Sequence, residues 1–174
     1  MRIFTCLFSL AVVAMLSTAC SDEQNTREDQ EFTGREMVYD LLQASEFPIE
    51  GTVVFRERMD KSIQIEVRVS GTSGNALHPV HLHYGNLSIP DADLAAQLND
   101  LSAEAGESIT IVPRLLDESV FEYDYLRNFD GSVKIHLAAS GEGSNVILAG
   151  GNIGIAAEKQ PASGRINIAV CKSE

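Results

Sequence analysis

Cysteine is scarce in this 174-residue chain, which has three. Cys6 lies in an N-terminal apolar run and Cys20 just past it, so the body of the chain holds Cys171 alone. A domain with one cysteine has no internal disulfide, even in an oxidising compartment. Cys171 is then a buried small apolar residue, a free thiol, or half of a pair between chains. Basic residues are few as well: 13 against 25 acidic ones, a formal net charge of −12. Such a surface disfavours nucleic acid and anionic lipid headgroups, and attracts cations weakly. No glycine-rich phosphate loop follows a strand pattern, no serine sits in an elbow motif, and there is no internal repeat. Paired carboxylates are plentiful, but among so many acids they point to nothing. Histidine numbers four, and three of the four fall in one stretch, His78-Pro79-Val80-His81-Leu82-His83-Tyr84-Gly85.

Long apolar runs are also missing, apart from Ile3 to Leu16 after the basic Arg2. That run is short and a polar acidic segment follows at once, which marks a signal peptide and not a spanning helix. Ser17-Thr18-Ala19-Cys20 follows Leu16. Small residues before a cysteine indicate the bacterial lipoprotein type, with residues 1–19 removed and Cys20 lipidated. The leucine stands one place earlier than usual, which keeps an ordinary secretory signal with a chance cysteine as the alternative. Acyl chains contribute ~0.8 kcal/mol per buried CH₂, so several of them make a stable anchor. Residues 20–33 read as a flexible acidic tether. Ser21-Asp22-Glu23 is similar to the surface-export signals of Bacteroidetes lipoproteins. The expected setting is the bacterial outer membrane, on its periplasmic or surface face. The expected partner is the membrane itself, through the lipid.

The domain is expected over residues 34–174. Met37 to Leu42 reads as a first strand, and Gly51 to Arg56 as a second with Val53 and Phe55 on one face. Ile63 to Ser70 alternates apolar and polar over eight residues, the pattern of a half-buried antiparallel strand. Leu94, Leu98 and Leu101 fall at helical spacing after a proline and acids, which favours a helix. An irregular strand is the alternative in so β-rich a neighbourhood. Ile109 to Val112 is a short strand, and one helical turn is expected within Phe121 to Phe129. Asp130-Gly131 reads as a turn, Gly141 to Asn145 as a hairpin turn, and Gly150-Gly151-Asn152 as a bulge or tight bend. Arg165 to Cys171 is expected as a closing strand, with Ile166, Ile168 and Val170 on one face. About seven to nine short strands between turns imply an all-β, antiparallel Greek-key sandwich or barrel.

Strand parity singles out the histidines. Successive side chains of a strand alternate faces, so His81 and His83 share one face while Val80 and Leu82 take the other. Their Cα atoms are ~6.6 Å apart at ~3.3 Å per residue. In Val133-Lys134-Ile135-His136-Leu137 the apolar positions claim the core, which leaves Lys134 and His136 on the polar face. If the two strands are neighbours, three imidazoles gather outside the core, with ring nitrogens within about 4 Å if they share one ion. His78 precedes a proline, and joins them only if Pro79 bends the chain. A row of outward polar positions on amphipathic strands is the plain alternative. Imidazole suits copper and zinc alike.

The histidine blocks bring in a resemblance. Gly51-Thr52-Val53-Val54-Phe55, His78-Pro79-Val80-His81-Leu82-His83, Leu126 to Leu137 with its Phe129-Asp130-Gly131 turn, and Gly150 to Gly154 together resemble the CHRD (chordin-type) domain. The resemblance covers roughly Tyr39 to Cys171 and favours a strand around Leu94 to Leu101. More distantly, the same blocks are similar to the β-barrel of copper/zinc superoxide dismutase. That likeness implies copper ligands at His81, His83 and His136, with His78 a fourth that has no counterpart there. The zinc site of that family needs more histidines than four, its disulfide cannot form here, and Arg165 stands at a different spacing from Cys171. A copper-only site remains, with zinc not excluded. The implied role is metal binding or structural; the alternative is a copper-only, superoxide dismutase-like oxidoreductase. The acidic surface repels an anionic substrate and ranks turnover below binding.

Overall fold

The structure, a computed structural model, describes residues 31–168. Residues 1–19, expected to be a signal segment, and Cys20 and Cys171 lie outside the described residues. Ten strands carry the chain: β1 (Phe32–Gln43), β2 (Glu50–Arg58), β3 (Ile63–Ser70), β4 (Leu77–His78), β5 (Val80–Tyr84), β6 (Leu94–Gln97), β7 (Leu101–Ser102), β8 (Glu107–Val112), β9 (Asp130–His136) and β10 (Ile147–Gly154). One helical turn, α1 (Tyr123–Leu126), stands before β9, where a single turn was expected. All strand pairs are antiparallel, in the order β4-β7-β8-β3-β2-β1-β10-β9-β5-β6. The sheet curls into a half-barrel.

Pro79 explains why there are ten strands and not seven to nine. It cannot donate to a ladder, so it divides the histidine stretch in two. β4 pairs with β7 at one end of the strand order, and β5 pairs with β6 and β9 at the other. Leu94 to Leu101 divides in the same way, into β6 and β7. It is extended and not helical, because β6 has an open edge of β5 to pair with. Chain continuity through these two interrupted strands therefore links the ends of the sheet.

The core lies inside the curl. Val53, Phe55, Ile63, Ile65 and Val67 face it from one side, and Val80, Leu82, Val133, Ile135 and Ile153 from the other. Each alternates with residues of the opposite face, as the period of two requires.

Several boundaries differ from expectation. β1 starts at Phe32, because Gly34 is a kink inside the strand and not its edge: its φ is +83°, and the β1–β2 register shifts between Phe32 and Glu36. Asp130-Gly131 is the start of β9 and not a turn. Gly150-Gly151-Asn152 is regular ladder, and the bulge of β10 falls between Ile147 and Ala149. The glycines are there for close approach. A Cβ on Gly151 would stand 2.2 Å from the Asp40 carbonyl oxygen, where β1 crosses to β10. Residues 165–168 form no strand, although Ile166 and Ile168 are the half-buried pair of an alternating stretch and Ile166 N–H donates to Gln43 O.

Candidate metal centre

The β5–β9 register sets His81 opposite Lys134 and His83 opposite Ser132. His136 N–H donates to the Pro79 carbonyl at 2.8 Å, which places His136 one step past the ladder, beside His81. Residues opposite one another in an antiparallel pair project to the same side. His81, His83, Ser132, Lys134 and His136 therefore occupy one face, away from Val80, Leu82, Val133 and Ile135. A register shift between Leu82 and His83 in the β5–β6 pairing adds a local twist at His83, the usual effect of a bulge.

That face is not the solvated surface expected for it. His83 is 5% exposed, His136 8% and Lys134 0%. The β5–β6 connection and the 3-10 turn Glu142–Asn145 cover it, and each supplies a hydrogen-bond acceptor. His83 Nδ1 donates to the Ala92 carbonyl at 2.9 Å, and His136 Nδ1 to the Ser144 carbonyl at 2.8 Å. With the proton held at Nδ1, each ring carries its lone pair on Nε2. Both Nε2 atoms are buried with no hydrogen-bond partner among the described residues.

The three rings converge. The His81 and His136 centroids are 4.7 Å apart, and those of His81 and His83 5.8 Å. One nitrogen from each of His81, His83 and His136 can be chosen so that all lie within 4.8 Å of one another. Among the described residues this is the one group of three or more potential ligands that converges so. Three nitrogens at ~2.0–2.1 Å from one ion lie roughly 3.3–3.6 Å apart. The set is looser than the expected 4 Å, and its widest pair closes by about 1 Å to grip an ion. His81 is the ring placed to do so, since it is half-buried and no hydrogen bond among the described residues anchors it.

Electrostatics keep the rings in the form a metal needs, which is neutral. Burial pushes His81 down to about 4, and the charges of His136, His83 and Lys134 add to the effect. Burial also lowers His83, against the Ala92 hydrogen bond, with Lys134 and His136 contributing. His136 is lowered by burial and by Lys134, against the Ser144 hydrogen bond. A pocket of about 430 Å³ opens onto the triad, with Leu94 and Ala138 on its apolar wall and Gln97, Asp100 and Asn145 as its polar groups. The arrangement can hold a metal ion on three imidazoles, with a coordination position facing the pocket.

His78 is not part of the group. Its Nδ1 donates to the Leu137 carbonyl at 3.0 Å, and it lies in β4, on the far side of the Pro79 break. The strand is interrupted at Pro79, and the interruption puts His78 in another ladder. Parity marks Lys134 as a neighbour of the site, yet nothing in the sequence shows that it is fully buried. The Ala92 and Ser144 carbonyls have no signature in sequence, because any residue carries one.

A scan against protein-family models, a search of curated proteins and a search of solved structures each found no match to this chain. The site is therefore read from its own geometry.

Proposed function

We propose that this is an exported, lipid-anchored envelope protein of CHRD type whose domain binds copper through His81, His83 and His136. One observation carries the metal reading: two buried imidazoles, each fixed through Nδ1 by a backbone carbonyl, with unpartnered Nε2 atoms beside a third ring. Metal-binding histidines are oriented in this way by a group on the far nitrogen. A purely structural cluster would hydrogen-bond those Nε2 atoms, since an unmet buried acceptor costs about 1–3 kcal/mol. Imidazole donors do not separate copper from zinc. Copper is preferred here on the resemblance of the histidine blocks to the superoxide dismutase barrel.

Titration of copper and zinc into the wild type and a His81→Ala, His83→Ala double variant tests this. One tight equivalent in the wild type, lost in the variant, is expected. Equal weak binding by both would assign the ions to the acidic surface and end the proposal. The anchor is tested in cells fed labelled palmitate: label on the wild type and none on Cys20→Ala is expected, and an unlabelled wild type would remove the anchor.

The pocket in front of the triad favours a second reading, a copper-only superoxide dismutase-like oxidoreductase, because it leaves room for a small molecule beside the metal. Copper-loaded protein with no superoxide turnover above that of free copper would leave binding as the whole function.

A further inference from the structure

Two arginines and two tyrosines share a pocket between the first half of β1 and α1. Arg35, Met37, Tyr39, Tyr123 and Arg127 line it, its volume is about 480 Å³, and it has no lining residue in common with the pocket at the triad. The fold holds these groups firmly. The Tyr39 ring packs edge-on against Phe55, with centroids 5.8 Å apart. Tyr123 donates its hydroxyl to the Glu36 carbonyl at 2.7 Å, which ties α1 to β1. The Arg35 guanidinium lies 4.1 Å from the centre of the Tyr123 ring and pairs with Glu57 and Asp124. Leu126 is fully buried, so the backbone that carries Arg127 is anchored from below.

Two donors of this pocket are poorly used within the protein. Arg35, Arg56, Arg58, Lys61 and Arg68 each have a carboxylate partner, whereas Arg127 has none among the described residues. Tyr39 O–H donates to Met37 Sδ at 3.2 Å, and a thioether is a weak acceptor. Burial pushes the Tyr39 hydroxyl up, against the Gly154 backbone hydrogen bond and the charge of Arg127, so the phenol keeps its proton at neutral pH. We infer that this pocket binds one carboxylate carried on a sugar-sized body, with Arg127 as its bidentate partner and Tyr39 O–H as a further donor. Guanidinium and carboxylate match as two parallel N–H···O bonds. Arg35 is already spent on Glu57 and Asp124, which leaves one positive charge to neutralise one negative charge. A phosphate dianion exceeds that charge and meets Asp124. The volume is that of a small-molecule site and more than a bare carboxylate fills. Met37 is the one aliphatic lining residue, so a hydroxylated body suits the pocket better than an apolar one. The net charge of −12 opposes anions at long range, but at physiological salt the Debye length is ~8 Å and the nearby groups decide.

The test is titration of the isotope-labelled protein with glucuronate, glucose and glucose 6-phosphate, followed by amide NMR shifts. It is run on the wild type, Arg127→Gln and Tyr39→Phe, the second of which keeps the ring on Phe55. Glucuronate at millimolar concentration should shift the amides of residues 35–39 and 123–127 saturably, and bind more tightly than glucose or glucose 6-phosphate. Arg127→Gln should weaken glucuronate by at least about tenfold, and Tyr39→Phe by about three- to tenfold. Glucose bound as tightly as glucuronate overturns the carboxylate, and glucose 6-phosphate bound as tightly overturns the single charge. Unchanged affinity in folded Arg127→Gln, or shifts confined to the surroundings of His81 and His136, overturns the site. If a variant does not fold, the three ligands on the wild type still decide, because the absence of saturable shifts at those amides is incompatible with the proposal.

Discussion

His81, His83 and His136 differ in how they are held. Carbonyls of Ala92 and Ser144 fix two rings, while no hydrogen bond among the described residues anchors His81. All three have their pKa lowered in the fold, two as buried rings and His81 as a half-buried one, which makes metal-free stability depend on pH. An unfolded histidine titrates near 6.5, and His81 in the fold near 4. Between these values the unfolded chain binds more protons than the folded one. The contribution is therefore complete above about 6.5, is lost as pH falls, and levels off once the folded ring also protonates near 4. The partial exposure of His81 screens part of it, leaving on the order of 1–3 kcal/mol. Melting of the metal-free protein should fall over that window, and the His81→Ala, His83→Ala variant should show a flatter curve. Identical pH profiles would mean that the rings are not held neutral by the fold.

At the scale of elements, the site depends on the joint between the two halves of the sheet. β1 leaves β2 and meets β10 through Leu42 and Gln43, which pair with Gly150 and Ala149. β10 in turn supports β9 along Gly151–Val133 and Gly150–Lys134. Gly151 has no room for a side chain, with the Asp40 carbonyl 2.2 Å from its would-be Cβ. Gly151→Ala should cost about 2–3 kcal/mol by forcing β1 away from β10, read as a melting temperature roughly 5–10 °C lower. It should also weaken metal binding, since β9 carries His136. A variant with unchanged melting would show that the two strands are not held so closely. Pro79 acts at the same scale, since it assigns His78 and His81 to different ladders.

For the whole molecule, charge governs how metal is met. A net charge of −12 draws cations to the surface at many weak places. Those places and the triad respond differently to salt. In about 1 M salt the Debye length is ~3 Å, so exposed acids lose their hold while a buried nitrogen site keeps it. Metal titration in high salt should retain one tight equivalent and lose the weak ones. Loss of all binding would mean that only the acidic surface had been titrated.

The sequence by itself determined the class of fold and the shared face of His81, His83 and His136, while the strand pairing decided that they meet and that His78 does not. The first two follow from a period of two: alternation in Ile63 to Ser70 puts Ile63, Ile65 and Val67 inside, and the same parity separates His81, His83 and His136 from Val80, Leu82, Val133 and Ile135. Periodicity is local, so it is legible along the chain. It says nothing about what lies on top of a face. Only the tertiary structure decided that the polar face of β5 and β9 is buried, because the covering segments are distant in sequence or are loops. Only pairing decided that Leu94 to Leu101 is extended, since its leucine spacing alone favours a helix and an open edge strand outweighs that preference. The same holds for Gly150 and Gly151, which resemble a bend in sequence and are straight because β1 and the Leu87 and Ile168 side chains press against them. Lys134 shows the limit most plainly: its parity is readable, but its burial exists only once the segments over β9 have closed.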